Sequence, residues 1–342
     1  MDQATPRTTA RNDADSSLAA EEKPWILAHL SDPHLACMVD LRLRELRAKQ
    51  LFSWLRWQGK RRHRQDDRLL TTLGRELQDS APDHIAITGD FCHLSLPAEF
   101  AAARDWLASL GDPQRCSIVF GNHDQYVATN WQKSWGLFLP WLQEGAEPAA
   151  SLSPKSPHGN PLHALFPTLQ LRGNIALIGV NTARPTALHL ATGAIGPAQL
   201  ARLDQLLLSL QGQDLCRILL LHHPPLQGVL SRRRSLDDGA ALRSLVKTHG
   251  VELILCGHAH HRIVSSLPGP TGPIPVFVAA SITSTHKEPA KRSSYTLFNI
   301  CKKQNAWQIA AGHRLLAADG QSYFDEPDWE QLSPLPSAGP LA

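Results

Sequence analysis

Cysteine is scarce and unpaired in this chain of 342 residues: Cys37, Cys92, Cys116, Cys216, Cys256 and Cys301 include no C-x-x-C pair. That spacing argues against a zinc ribbon or a disulfide scaffold. Several of the six lie in apolar runs, where cysteine packs as a small hydrophobe, as expected of a protein in a reducing cytoplasm. Nowhere is there the unbroken run of about 18 apolar residues that a membrane-crossing helix needs. An excess of one charge sign is lacking too, since 34 Lys and Arg face 31 Asp and Glu. A surface built throughout to hold nucleic acid is thereby disfavoured. Residues 1–23 carry acids and no apolar stretch, so they do not read as a secretory leader. What is present is hydrophobic side chain, 42% of residues, enough for a substantial core.

Short β-prone runs recur within 24–316. Trp25–Leu30, His84–Thr88, Cys116–Phe120, Ile175–Val180, Ile218–Leu221 and Val251–Leu255 are nearly continuous in apolar residues. Such runs suit strands buried on both faces. Helical patterns over Asp67–Asp79, Ala98–Leu110, Gly196–Leu210 and Asp238–His249 separate several of them, whereas Pro275–Ala280, Tyr295–Ile300 and Trp307–Ala311 read as strands with no helix between. The expected fold is α/β, a two-sheet β-sandwich flanked by helices in a single domain. The ends, 1–23 and 317–342, are polar or rich in proline and acids and are expected to be disordered or loose.

Five polar blocks follow these strands directly: Asp32-Pro33-His34, Gly89-Asp90, Gly121-Asn122-His123-Asp124, His222-His223-Pro224-Pro225 and Gly257-His258-Ala259-His260. In open α/β sheets, side chains at the carboxyl ends of neighbouring strands converge on one crevice. Asp-x-His and His-x-His spacings put two side chains on one side of an extended segment, so that both can reach one metal ion. Taken singly, each block reads as a turn, a helix cap or a packed histidine. Taken together and in order, they read as a metal site. Gly89, Gly121 and Gly257 fit tight turns or close backbone approach there. Cys92 and Cys256 read as packing residues beside it.

The set resembles the calcineurin-like metallophosphoesterases over about residues 25–261, reproducing their succession of D-x-H, G-D, G-N-H-D, a later His and G-H-x-H. The resemblance implies a binuclear metal centre in which Asp32, His34 and His260 hold one ion, Asn122, His222 and His258 hold the other, and Asp90 bridges them. Imidazole, carboxylate and amide donors without thiolate suit Mn, Fe, Zn or Ni. By the same resemblance the ions would bind phosphoryl oxygens and generate a bridging hydroxide for in-line attack. His123 would orient the phosphate and protonate the leaving oxygen, with Asp124 holding its ring. His223, next to a matched ligand, reads as structural or as support for its neighbour. Where many relatives place an amide, a hydroxyl or a tyrosine three residues after the bridging acid, this chain has His93, which either aids the site or points away.

Class III cyclic nucleotide phosphodiesterases and UDP-2,3-diacylglucosamine pyrophosphatases are the branches it looks most like. The implied reaction is hydrolysis of a phosphodiester or pyrophosphate bond in a nucleotide or nucleotide-linked substrate; the alternatives are a phosphomonoesterase and a non-catalytic scaffold. Asn181, Arg184 and Arg232 are candidates for the substrate-facing rim. The stretch 41–68 reads as a helical insertion with ten basic against three acidic residues. On a helix, Leu41, Ala48, Leu51, Phe52 and Leu55 form a stripe able to dock on the domain, and Leu43, Leu46, Trp54 and Trp57 form a second. That second stripe either packs as well or meets an acyl chain or an anionic membrane surface. The protein is therefore expected in the cytoplasm, free or at the inner membrane surface, with nucleic acid not a partner.

Overall fold

The computed structural model describes residues 23–35, 46–56, 65–142, 162–304, 306–326 and 330–333. Two six-membered strand paths run through it. In the first sheet β1 (Trp25–Leu30), β2 (His84–Ile87) and β3 (Cys116–Ile118) lie parallel, and β10 (Ser294–Lys303), β11 (Ala306–Leu316) and β12 (Tyr323–Asp325) extend it antiparallel beyond β1. β13 (Glu330–Ser333) also pairs with β11. The second sheet has the order β4 (Thr168–Arg172), β5 (Ile175–Val180), β6 (Cys216–Leu221), β7 (Leu253–Cys256), β9 (Pro273–Val278) and β8 (Ile263–Pro268), with β5, β6, β7 and β9 parallel. The helices are α1 (Ala48–Arg56), α2 (Arg68–Ser80), α3 (Pro97–Ser109), the single turns α4 (Leu139–Leu142) and α5 (Leu162–Leu165), α6 (Pro197–Ser209) and α7 (Gly239–His249).

The near-continuous apolar runs have the cause expected of them. In β5, β6 and β7, alternate residues feed two separate cores: Ile175, Leu177, Ile218, Leu220, Leu253 and Leu255 face the cluster between the sheets, and their neighbours Ala176, Ile178, Leu219 and Ile254 face the other. A strand with two buried faces cannot alternate apolar with polar. The outer cluster is closed by Leu203 and Leu207 of α6 and by Leu242 and Val246 of α7, each pair four residues apart on one helical face. α2 presents Leu69, Leu73 and Leu77 in the same way to the larger cluster, which takes in both faces of β1 through Leu27 and Ala28. Among the described residues no helix is long and apolar enough to cross a membrane.

Two expectations are corrected. The folded chain does not stop at 316: β12 and β13 add to β11, and Tyr323 is buried with its hydroxyl 2.7 Å from that of Ser293. The aromatic hydroxyl has a buried partner, so the segment is held although its composition resembles a tail. Within α1 the stripes of the 41–68 insertion also exchange roles, Leu41, Leu43 and Trp57 lying outside the described residues. Leu51, Phe52 and Leu55 are exposed, whereas Trp54 packs on Leu94, Tyr126 and Val127. The reason lies in the polar residues beside Trp54: Lys49, Gln50 and Ser53 find partners on the loops it covers. Residues 1–22, 36–45, 57–64 and 334–342, with the rest of that insertion's charge, lie outside the described residues.

Candidate metal centre

The carboxyl ends of the parallel strands of both sheets open onto one crevice. Past β1 the chain keeps pairing with the segment after β2, through Asp32 N–H to the Gly89 carbonyl (3.0 Å) and His34 N–H to the Asp90 carbonyl (2.9 Å). The five polar blocks are thereby drawn together from both sheets. Their backbone is strained in a consistent place: Asp32, His34, Asp90, His258 and His260 all have positive φ, between 43° and 69°. Non-glycine residues hold that region only where the surroundings impose it.

Ligand-type atoms gather in two groups. Asp32, His34, Asp90 and His260 each bring one such atom within 4.8 Å of the others, and His222, His223 and His258 do the same. The Nε2 atoms of His34 and His260 face each other at 3.2 Å. Asp90 Oδ2 lies 3.7 Å from His34 Nε2 and 3.4 Å from His222 Nε2, between the groups. Asn122, after β3, is buried beside them.

Backbone carbonyls fix the rings. His34 Nδ1 donates to the Cys92 carbonyl (3.1 Å) and His222 Nδ1 to the Thr88 carbonyl (2.6 Å), so both Nε2 atoms turn inward. His258 is turned the other way: its Nε2 donates to the Arg234 carbonyl (3.1 Å), leaving Nδ1 for the site, while Arg234 donates to the His258 carbonyl (2.5 Å). Ser31 Oγ (2.6 Å) and His258 N–H (3.1 Å) hold Asp32 Oδ2. Close approach explains two glycines. A Cβ on Gly121 would lie 2.1 Å from Asp90 Oδ1, and one on Gly257 would lie 1.9 Å from Ser31 Oγ.

Whether such a cradle fits a cation is decided by what remains unsatisfied. Among the described residues Asp32 Oδ1, Asp90 Oδ2, Asn122 Oδ1 and His222 Nε2 are buried and make no hydrogen bond. Two carboxylate oxygens, an amide oxygen and an imidazole nitrogen left without donors at one point cost free energy that a bound divalent cation would offset. The donor set fits. Against the penalty of burial, His222, His123 and His34 hold the Asp90 carboxyl well below the usual carboxylate range.

His123 is half-buried, with Nδ1 donating to the His93 carbonyl (2.7 Å) and its ring edge-on to His34. The expectation that Asp124 holds this ring is corrected. Both Asp124 oxygens accept backbone N–H groups, from Cys92 (2.9 Å), Asp90 (2.9 Å) and Gly121 (2.8 Å), so it ties the second block to the third. Burial, with Asp90 nearby, pushes its carboxyl up. His93 does not point away; its ring stacks on His34 at 4.8 Å. His223 sits against His258, with its Nδ1 2.8 Å from Thr182 Oγ1. Cys92 and Cys256 are fully buried and their thiols are pushed up by burial, as packing residues would be.

Two of the three rim candidates are engaged by partners within the protein. Asn181 is fully buried, its amide spent on Ala183 in its own turn. Arg184 is tied to Asp237 and to Thr192 Oγ1. Arg232 is exposed, and of its cluster only Arg234 reaches the site, through the His258 turn. A residue the sequence reading missed is Glu99. It accepts from His93, Leu94 and Leu96 N–H at 2.8–3.3 Å and so builds the loop after Asp90. The signal was Pro97 and Glu99 at the first and third positions of a helix.

The family model described as calcineurin-like phosphoesterase matches residues 27–262. A probable cyclic nucleotide phosphodiesterase of Synechococcus is 28% identical over 193 residues, 55% of this chain and 62% of that protein. A cAMP/cGMP dual specificity phosphodiesterase of Mycobacterium tuberculosis is 28% identical over 225 residues, 64% of this chain and 61% of that protein. The matches thus span about three fifths of each relative's length. A dimetal phosphatase from Danio rerio superposes with a TM-score of 0.53 at 12% identity, covering 89% of this chain and 99% of that one, which shows a shared fold.

Proposed function

The chain belongs to the calcineurin-like metallophosphoesterases, a family of hydrolases, and from that premise we propose that it cleaves a phosphodiester or pyrophosphate bond in a nucleotide or nucleotide-linked substrate. The observation that carries this reading is the convergence of four buried, unsatisfied donor atoms, on Asp32, Asp90, Asn122 and His222, at one crevice. The diester preference is supported by the names of the two curated relatives, both cyclic nucleotide phosphodiesterases.

Asp32, His34 and His260 would hold one divalent ion, Asn122, His222 and His258 a second, and Asp90 would serve both. Mn, Fe, Zn or Ni suits these donors. Bound there, the ions supply Lewis acidity toward phosphoryl oxygens and water activation near neutral pH. The chain's own part is positioning and proton transfer. Nδ1 of His123 donates to the His93 carbonyl and keeps its proton there, so the proton given to the leaving oxygen is the Nε2 proton of the imidazolium form, which returns to the neutral Nδ1–H tautomer. Asp124 serves this step indirectly, by joining the His123 block to that of Asp90.

The test is manganese-dependent hydrolysis of bis(p-nitrophenyl) phosphate and of 3′,5′-cyclic nucleotides beside p-nitrophenyl phosphate. Diester turnover is expected to exceed monoester turnover, to vanish in Asp90→Ala with loss of bound metal, and in His123→Ala, with metal retained, to fall about 10²-fold or more on the cyclic nucleotides, whose alkoxide leaving group needs the proton. Monoester preference would overturn the diesterase reading in favour of a phosphomonoesterase. A chain that binds no metal would overturn the hydrolytic mechanism itself.

A further inference from the structure

α1 grips the loop that carries His123, and its grip is largely polar. Lys49 Nζ donates to the carbonyls of Tyr126 (2.9 Å) and Thr186 (2.7 Å) and lies 3.8 Å from the centroid of the Tyr126 ring. The Ser53 hydroxyl meets the Tyr126 hydroxyl, and Gln50 Nε2 donates to the Leu94 carbonyl (2.8 Å). One nine-residue helix thus holds loops that follow β2, β3 and β5. A helix this short has little stability of its own, so its place is set by these contacts.

Tyr126 is fixed at its carbonyl, its ring and its hydroxyl. The same ring lies parallel to the His123 imidazole, 5.6 Å between centroids and 6° between planes. A serine completes the link: Ser95 Oγ donates to the His123 carbonyl (2.7 Å) and accepts from Tyr126 N–H (2.8 Å). His123 is therefore bounded by His34 edge-on, by the His93 carbonyl at Nδ1 and by the Tyr126 ring. Of these three, the Tyr126 ring is the one that touches α1, whereas His93 is anchored by its N–H on Glu99 of α3 (2.9 Å). The anchorage has a cost. Burial lowers the Lys49 ammonium to about 8, which a residue serving only as a solvated rim charge would not show.

We propose that α1 sets the orientation of the catalytic acid: Lys49 and Ser53 hold Tyr126, and the Tyr126 ring holds the His123 imidazole where Nε2 meets the leaving oxygen. The three are positioning residues, and their role rests on His123 being the acid. A proton donor matters most when the leaving group is a poor one, so the effect is selective. A p-nitrophenolate departs with little help; a phenolate needs the proton.

The experiment compares p-nitrophenyl and phenyl esters of the same phosphate on the metal-loaded full chain. In Lys49→Met and Tyr126→Leu, kcat for the phenyl ester is expected to fall at least about tenfold more than kcat for the p-nitrophenyl ester, with KM and bound metal unchanged. Tyr126→Phe, which keeps the ring and loses the hydroxyl, is expected to fall between. Equal losses on both esters, or loss of bound metal, would overturn the proposal in favour of a purely structural helix. A second readout needs no turnover: the ring signals of His123 in the NMR spectrum of the zinc-loaded protein. Those signals are expected to move in Lys49→Met toward their position in Tyr126→Leu. Unmoved signals would overturn the positioning role even in an active enzyme, whereas moved signals in a chain that hydrolyses neither ester would uphold it and place the failure in the proposed reaction.

Discussion

The residues of the crevice are strained, and most of them are buried. Asp32, His34, Asp90, His258 and His260 hold left-handed backbone, and all but His260 are buried. Gly257 shows how narrow the tolerance is. A Cβ there would meet Ser31 Oγ at 1.9 Å and Asp32 Oδ2 at 2.7 Å, so Gly257→Ala must push the Asp32 carboxylate or the turn carrying His258 out of place. Both are proposed ligands. The expected outcome is a drop of about 10-fold to 100-fold in metal affinity, read by titration against a chelator, comparable to losing a residue that supports a ligand. Metal affinity unchanged in Gly257→Ala would mean that the turn can relax, and that the close approach does not set the site.

At the scale of elements, the loop after β2 depends on an acid from α3. Glu99 is fully buried and accepts from three backbone N–H groups, and burial pushes its carboxyl up to about 7 against the pull of those donors. Glu99→Ala would leave the three donors unsatisfied at about 1–3 kcal/mol each where water cannot reach them, while Glu99→Gln keeps one oxygen and should lose less. Denaturant unfolding checks this order; equal losses would show that the loop is held by other contacts. Glu99 also marks the limit of what the sequence disclosed. The parallel strands were legible because burial on both faces makes their runs continuous, and the five blocks were legible because each follows such a run. β4 and β8 were not, since they sit at sheet edges, β4 with one of its five residues buried and β8 with half of its residues exposed, and carry little apolar signal. The docking face of α1 was hidden for another reason. Its two stripes are similarly apolar, and the choice between them is made by carbonyls of Leu94, Tyr126 and Thr186 that are distant in sequence. Backbone partners such as the His93 carbonyl carry no side-chain signature at all, so the partner of the His123 ring is not legible in the sequence.

Two buried histidines outside the proposed ligand set, His84 and His313, give the molecule's stability a direction in pH. His84, fully buried on β2, meets Ser117 Oγ at 2.8 Å, and burial, with Arg172 and Arg115 adding to it, lowers its pKa to about 3. His313 on β11 stacks on Phe277 and is lowered to about 4 by burial and Arg262, against Glu326. In the unfolded chain both take up a proton near the ordinary histidine value of 6.5, whereas the folded chain holds them neutral below that. Their contribution is therefore complete above pH 6.5 and is lost as pH falls toward 3 or 4. Burial also lowers His34, His223 and His258 in the crevice, so the informative quantity is a difference between two proteins at each pH. His84→Gln should be less stable than the wild type at pH 7.5, and the gap should narrow by up to about 1.4 kcal/mol for each pH unit below 6.5, because only the wild type has a neutral His84 left to protonate on unfolding. Urea unfolding at a series of pH values measures it. A gap that stays constant from pH 7.5 to 4.5 would show that His84 is protonated in the folded protein, and the acid sensitivity would then have to be sought in the crevice.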